Sequence, residues 1–211
     1  MLTVHHLGVS QSDRIVWLCE ELEIPYELKR YERDPKTRLA PDAYRALTPF
    51  GTAPVITDGS VVLGESAAII DYIINLHGGG RLSIPPGAPN YPDYLYWFHF
   101  ANGSLMPSAL SAWIIDLMDN GDGRFSAMRQ RLERAYAQIE RRVTDVPYLA
   151  GDDFTAADIL TLFPLTTFRV FAPRDMAPYP NIRRYLARIA ERPAFQRAMA
   201  KADPGFQLPI D

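Results

Sequence analysis

The chain has 211 residues, of which 47% are hydrophobic and 22% charged, with a formal net charge of −3. That length and balance suit one or two packed domains and exclude a largely disordered chain, while the slight acidity gives no electrostatic case for nucleic acid or an anionic membrane. The one cysteine, Cys19, excludes an intramolecular disulfide and points to the cytosol. No apolar stretch approaches the ~18 residues of a membrane span. The opening MLTVHHLGVSQSD has no basic region followed by an apolar one, so no secretory signal is expected.

Taken in chain order, LTVHHLG (2–8) predicts a strand closed by glycine. DRIVWLCEELEI (13–24) predicts a helix, with Ile15, Leu18, Cys19 and Leu22 as its apolar stripe. PYELKRYE (25–32) alternates and reads as a second strand, and 41–47 holds a short helix. APVITDGSVVL (53–63) places two β-rich runs around Asp58-Gly59, a turn pair for a tight hairpin. A helix then starts at Ser66, with Ile69, Ile70, Ile73 and Ile74 buried. Ser66 reads as its cap, but the capping-box position is Ile69, which cannot close the box.

The order β-α-β followed by β-β-α predicts a four-stranded mixed sheet with helices packed on it. LHGGGRLSIPPGAPNYPD (76–93) holds four glycines and four prolines and divides the chain. Beyond it, helices are expected over 91–119, 124–143, 154–171, 181–192 and 193–201. The fold class is α/β plus all-α: a domain over 1–78, a linker over 79–90 and a helical bundle over 91–211.

Several residues have bland readings. Cys19 lies on a helical apolar stripe and belongs to the core. His5 and His6 face opposite ways in a strand, while His77 and His99 stand alone, so no metal site is expected. Thr155-Ala156-Ala157-Asp158 is a helix-start signature with a structural role. Arg184, Arg188 and Arg192 form a basic row, read as a solvated helix face. Most of Trp97, Phe98, Leu105, Met106 and Trp113 must be core. Glu65-Ser66 stays open: an uncapped helix N-terminus binds a carboxylate, but a serine there also caps.

SQSDRIVWLCEELEIPYEL (10–28), TPFGTAPVI (48–56), LGESAAIIDYI (63–73), LAGDDFTAADIL (149–160) and YPNIRRYLARIAERPAFQRA (179–198) together resemble the glutathione transferase family over essentially the whole chain. The likeness is greatest to bacterial members with a serine near the first helix. It implies a thioredoxin-like N-terminal domain, an all-helical C-terminal domain, a cytoplasmic homodimer and a detoxifying conjugation. Glutathione would be the co-substrate, with no metal, nucleic acid or membrane involved.

The resemblance also implies roles. Ser10 would stabilise the glutathione thiolate as the catalytic residue, with Gln11 and Ser12 as auxiliary contacts, although Ser12 reads more readily as a helix cap. Thr52, Ala53, Pro54, Glu65 and Ser66 would bind glutathione, with the Ala53–Pro54 peptide bond cis. Asn102, Leu105 and Met106 would border a pocket for a hydrophobic electrophile entering between the domains. Two positions depart from the family. Val9 has no donor where several classes place the activating group, and Thr52 stands where many relatives have lysine. The alternatives are a non-catalytic protein binding glutathione or a hydrophobic ligand, and a glutathione-dependent peroxidase or disulfide reductase.

Overall fold

β1 (Leu2–Leu7) and β2 (Glu27–Tyr31) run parallel, connected through α1 (Asp13–Leu22), in a computed structural model that describes residues 1–118 and 123–210. β3 (Val55–Asp58) pairs antiparallel with β1, and β4 (Val61–Gly64) antiparallel with β3. The sheet order is β2-β1-β3-β4, the expected four-stranded mixed sheet of a thioredoxin-like domain. The hairpin turn lies one residue later than the sequence suggested. Asp58 pairs with Val61, and Gly59 takes φ +58° within the two-residue loop Gly59-Ser60.

The predicted stripe of α1 (Ile15, Leu18, Cys19 and Leu22) is at most 1% exposed. So are Ile69, Ile70, Ile73 and Ile74 of α3 (Ser66–Leu76), which packs on α1. Each buried isoleucine contributes about 2 kcal/mol of transfer free energy. A smaller cluster of Leu7, Tyr44 and Val55 ties α2 (Asp42–Arg45) to the sheet. There the Tyr44 hydroxyl donates to the His5 carbonyl at 3.2 Å.

The chain forms two compact units, Met1–Ser83 with Ala190–Leu208, and Ile84–Ile189 with Pro209–Asp211. In the first, α9 (Pro193–Ala202) packs on α1, with the rings of Trp17 and Phe195 edge to face at 5.0 Å. Arg192 contributes two hydrogen bonds to Glu21, at 2.7 and 2.8 Å. This corrects the reading of the basic row as solvated for Arg192, while Arg184 and Arg188 are exposed as expected. Arg188 is also engaged, donating to the Pro147 carbonyl at 2.8 Å within the second unit.

The second unit contains α4 (Tyr91–Phe100), α5 (Met106–Met118), α6 (Ser126–Asp145), α7 (Ala156–Leu165) and α8 (Pro180–Ala190). The single helix expected over 91–119 is interrupted by a π-turn at Ala101–Leu105, and its last position, 119, lies outside the described residues. Pro107 explains the interruption. It has no N–H to donate to the carbonyl four residues back, and its ring crowds that turn. The Met106 N–H reaches back to Ala101 O instead, and the Ser108 hydroxyl donates to Ser104 O at 2.6 Å. The helix expected over 154–171 likewise breaks after Leu165 and resumes as a 3₁₀ turn, Thr167–Val170, shortly after Pro164. Among the described residues, no helix is long and apolar enough to cross a membrane.

Candidate functional site

Strand register brings the singled-out residues of the first unit to one end of the sheet. His5 lies opposite Val55, and Val55 opposite Gly64. The C-terminal end of β1, the start of β3 and the end of β4 therefore lie side by side, spanning about 10 Å at two interstrand spacings. Ser10 follows the first, Ala53-Pro54 precedes the second, and Glu65-Ser66 follows the third.

At the β4 side, Glu65 rather than Ser66 is the N-cap of α3, which corrects the reading of Ser66 as cap. The Glu65 carbonyl accepts the Ile69 N–H at 2.9 Å. Ser66 is the first helical residue, 3% exposed, and its hydroxyl has no hydrogen-bond partner among the described residues. The first-turn N–H groups of Ser66, Ala67 and Ala68 likewise have none, so this end of α3 is electropositive and unsatisfied. Glu65 is exposed and holds φ +69°, ψ 115°, a backbone region that side chains other than glycine rarely enter. Its carboxylate projects from a junction that keeps its conformation at a cost.

At the middle of the row, the Ala53–Pro54 peptide bond is cis. Pro54 is buried, while Ala53 is half-buried against the Leu7–Val55 cluster. Neither the N–H nor the C=O of Ala53 is hydrogen-bonded among the described residues. Thr52 is exposed.

At the β1 side the geometry departs from expectation. Ser10 is 4% exposed, and its hydroxyl donates to the Leu7 carbonyl at 2.6 Å. It also lies 2.8 Å from the Ser12 hydroxyl. The Ser10 side chain is thus turned inward and engaged, not held out as a donor. Ser12, fully buried, does not use its side chain to cap α1. Its hydroxyl accepts the Leu7 N–H at 3.0 Å and lies 2.9 Å from His6 Nδ1, locking α1 to the end of β1. The N–H groups of Ser10 and Gln11 have no partner among the described residues, and the half-buried Gln11 side chain is equally unengaged.

The buried Cys19 thiol is pushed far above its ordinary value, first by burial and then by the nearby Glu20, which leaves it inert. In the second unit Leu105 is fully buried, so it shapes the core beneath any pocket rather than a surface. Asn102 and Met106 are half-buried. Met106 and Trp113 pack on Ala109, Phe163 and Phe168. A cavity of about 70 Å³ lies beside this wall, lined by Trp113, Leu132, Tyr136, Phe168 and Arg174 among others.

Comparison with known proteins decides the family. Residues 10–76 match the family described as "Glutathione S-transferase, N-terminal domain", and residues 124–193 match "Glutathione S-transferase, C-terminal domain". Glutathione S-transferase 3 of Schizosaccharomyces pombe is 33% identical over 96% of this chain and 88% of its own. The chain belongs to the glutathione S-transferase family. A crystal structure of a glutathione S-transferase from Actinobacillus pleuropneumoniae superposes on this transferase with a TM-score of 0.88. It is 33% identical and covers 97% of this chain and 95% of its own. A glutathione transferase family member from Pseudomonas fluorescens, solved with two glutathione bound, is 20% identical with a TM-score of 0.78. It covers 94% of this chain and 92% of its own.

Three residues of the transferase that shape the β1 side carried no signal in the sequence. Arg33 donates to the carbonyls of Gly8 and Val9, His6 reaches Ser12, and Asp203 accepts the Val9 N–H. Asp203-Pro204-Gly205 has the composition of an ordinary turn. Nothing local links it to a strand end nearly the whole chain away.

Proposed function

We propose that the transferase binds glutathione along this end of the sheet and conjugates its thiolate to a hydrophobic electrophile. The observation that carries the reading is the row of unsatisfied groups, in sheet order: the Ser10 and Gln11 N–H groups, the Ala53 peptide groups, and the α3 N-terminus beside Glu65. The Glu65 carboxylate takes the γ-glutamyl ammonium. The Ser66 hydroxyl and the first-turn N–H groups take the γ-glutamyl carboxylate. Ala53 pairs with the cysteinyl backbone as a short added strand. The Thr52 hydroxyl serves the glycyl end.

The cysteinyl sulfur then falls at the start of α1. An ordinary thiol is only a few per cent ionised at neutral pH. Lowering its pKa by about 2 units requires about 2.7 kcal/mol of preference for the anion, within the reach of two charge-assisted hydrogen bonds. The Ser10 and Gln11 N–H groups, the Gln11 side chain and the α1 dipole supply it, while the Ser10 hydroxyl stays on Leu7. Catalysis rests on positioning and on holding the sulfur as an anion, with no covalent bond to the protein. Met106 and the Trp113–Phe168 wall supply apolar surface of the kind an electrophile's hydrophobic body requires. The lone Cys19 suits a reducing cytosol.

Retention on immobilised glutathione together with chlorodinitrobenzene conjugation tests the reading. We expect both, and no retention at millimolar glutathione overturns it. The inward Ser10 hydroxyl favours a second reading, binding without turnover, which predicts retention with no conjugate formed.

A further inference from the structure

The turn that carries β1 into α1 is held by residues remote from it in sequence. The Gly8 N–H donates to the Tyr31 carbonyl at 3.0 Å, and the Gly8 carbonyl accepts Arg33 Nε at 2.8 Å. The Val9 N–H donates to Asp203 Oδ1 at 3.0 Å, and the Val9 carbonyl accepts Arg33 Nη2 at 3.3 Å. Every backbone polar group of Gly8 and Val9 is therefore fixed from outside the turn.

Val9 needs that restraint. Its φ is +49°, in the left-handed region where a β-branched side chain is crowded, at a cost of about 1–3 kcal/mol. Such a conformation persists only where the surroundings over-determine it. Asp203 is itself placed by the chain end of β1: its Oδ2 lies 3.2 Å from His6 Nε2, and His6 Nδ1 lies 2.9 Å from the Ser12 hydroxyl. The titratable and charged groups around Asp203 are His6 of β1, Arg30 of β2, and Glu32 and Arg33 just beyond it.

The torsions at Val9 set the plane of the next peptide, and so the direction of the Ser10 N–H and the entry of the chain into Gln11. We propose that Asp203 is a positioning residue for the thiolate site, holding Val9 in its left-handed conformation so that the Ser10 and Gln11 N–H groups meet the sulfur, with Arg33 clamping the turn from its carbonyl side. The inference rests on the glutathione-site reading above and extends it to a residue 194 positions from Val9. Relaxation of Val9 toward an ordinary backbone region swings those N–H groups away while Ala53, Glu65 and Ser66 stay in place. Loss of Asp203 therefore weakens the thiolate and leaves the rest of the glutathione site intact.

The test is an ultraviolet titration of the enzyme-bound thiol, with steady-state kinetics, in the full-length protein. Asp203→Ala is expected to raise the bound-thiol pKa by about one unit, cutting kcat about tenfold on the acid limb, below about pH 6, and about threefold near neutral pH. Below about pH 6 the KM for glutathione should change by less than about threefold, because the thiol binds there in its protonated form and gains little from those N–H groups. Asp203→Asn keeps an oxygen acceptor for the Val9 N–H and should restore most of the effect. In the double variant Val9→Gly/Asp203→Ala, glycine adopts the left-handed conformation without crowding, so thermal stability and the thiol pKa should both return toward the parent values. Arg33→Met, at a half-buried side chain, should shift the titration in the same direction and gives the readout if Asp203→Ala does not fold. A folded Asp203→Ala or Arg33→Met protein that titrates as the parent does overturns the proposal and leaves the glutathione-site reading standing. A parent protein that binds glutathione without ionising its thiol, or does not bind it, overturns that reading first and this inference with it.

Discussion

Asp158 Oδ1 accepts the Tyr185 hydroxyl and the Leu149 N–H, each at 2.9 Å, inside the second unit. Oδ2 accepts the Thr155 N–H at 2.9 Å and the Thr155 hydroxyl at 3.2 Å. One fully buried carboxyl thus joins the start of α7, the segment before it and α8. Burial pushes the carboxyl above its ordinary range, against the pull of the Leu149 and Thr155 N–H groups and the two hydroxyls. Replacing Asp158 by alanine leaves several buried donors unpaired. The expected cost is about 3 kcal/mol, or a melting temperature lower by roughly 6–12 °C. Glutathione affinity, measured below the transition, should change little. Calorimetry on parent and variant decides it, and equal melting temperatures would refute the structural role.

The fold was legible where a pattern repeats locally. The α1 and α3 stripes and the β3–β4 hairpin declare themselves by periodicity and by a glycine turn. Pro107 and Pro164 were visible too, yet the pattern on either side of each stayed apolar and helical. The breaks they impose are therefore properties of the backbone ladder, not of hydrophobic spacing. The site was legible by position and not by orientation. Nothing in SQSD tells which way the Ser10 hydroxyl turns, because that depends on the Leu7 carbonyl at the end of a strand. The positive φ of Glu65 arises from the junction of β4 with α3, since glutamate has no intrinsic preference for it. The Val9–Asp203 hydrogen bond joins two ends of the chain that only the packing of α9 on α1 brings together.

Glu65 therefore sets stability against function. A glycine adopts φ +69° without steric cost, and the exposed carboxylate makes no hydrogen bond or ion pair among the described residues. Glu65→Gly should hold or raise stability by up to about 1 kcal/mol. Glutathione affinity should fall at least about tenfold, the equivalent of one lost charged contact. Isothermal titration beside thermal melts reads both quantities from one preparation. A variant that is destabilised and still binds glutathione as the parent does would assign Glu65 to the fold.

Ser10→Ala separates the hydroxyl from the backbone. The substitution removes the hydrogen bond to Leu7 O and keeps the Ser10 N–H. Stability should fall by about 1 kcal/mol. Conjugation, followed as kcat over KM for glutathione, should stay within about threefold of the parent, since less than 1 kcal/mol of transition-state stabilisation is removed. A hundredfold loss in a folded variant would mean that the hydroxyl turns out to meet the sulfur when glutathione is bound.

Acid stability of the first unit should follow Glu20. Burial alone would raise this carboxyl, but Lys201, the Tyr26 hydroxyl and Arg197 pull it below its ordinary range. A carboxyl depressed in the folded state adds stability above its unfolded pKa, and that stability is lost as pH falls through the folded value. The loss should thus set in below about pH 4.5, the ordinary glutamate range, and loosen α9 from α1. Trp17 reports it, since its ring packs on Phe195 of α9 at 5.0 Å. In urea titrations followed by tryptophan fluorescence, the parent should lose stability between about pH 4.5 and 3. Glu20→Gln should start lower at neutral pH and lose less over the same interval. Parallel curves for the two proteins would show that the Glu20 carboxylate adds nothing to the docking of α9.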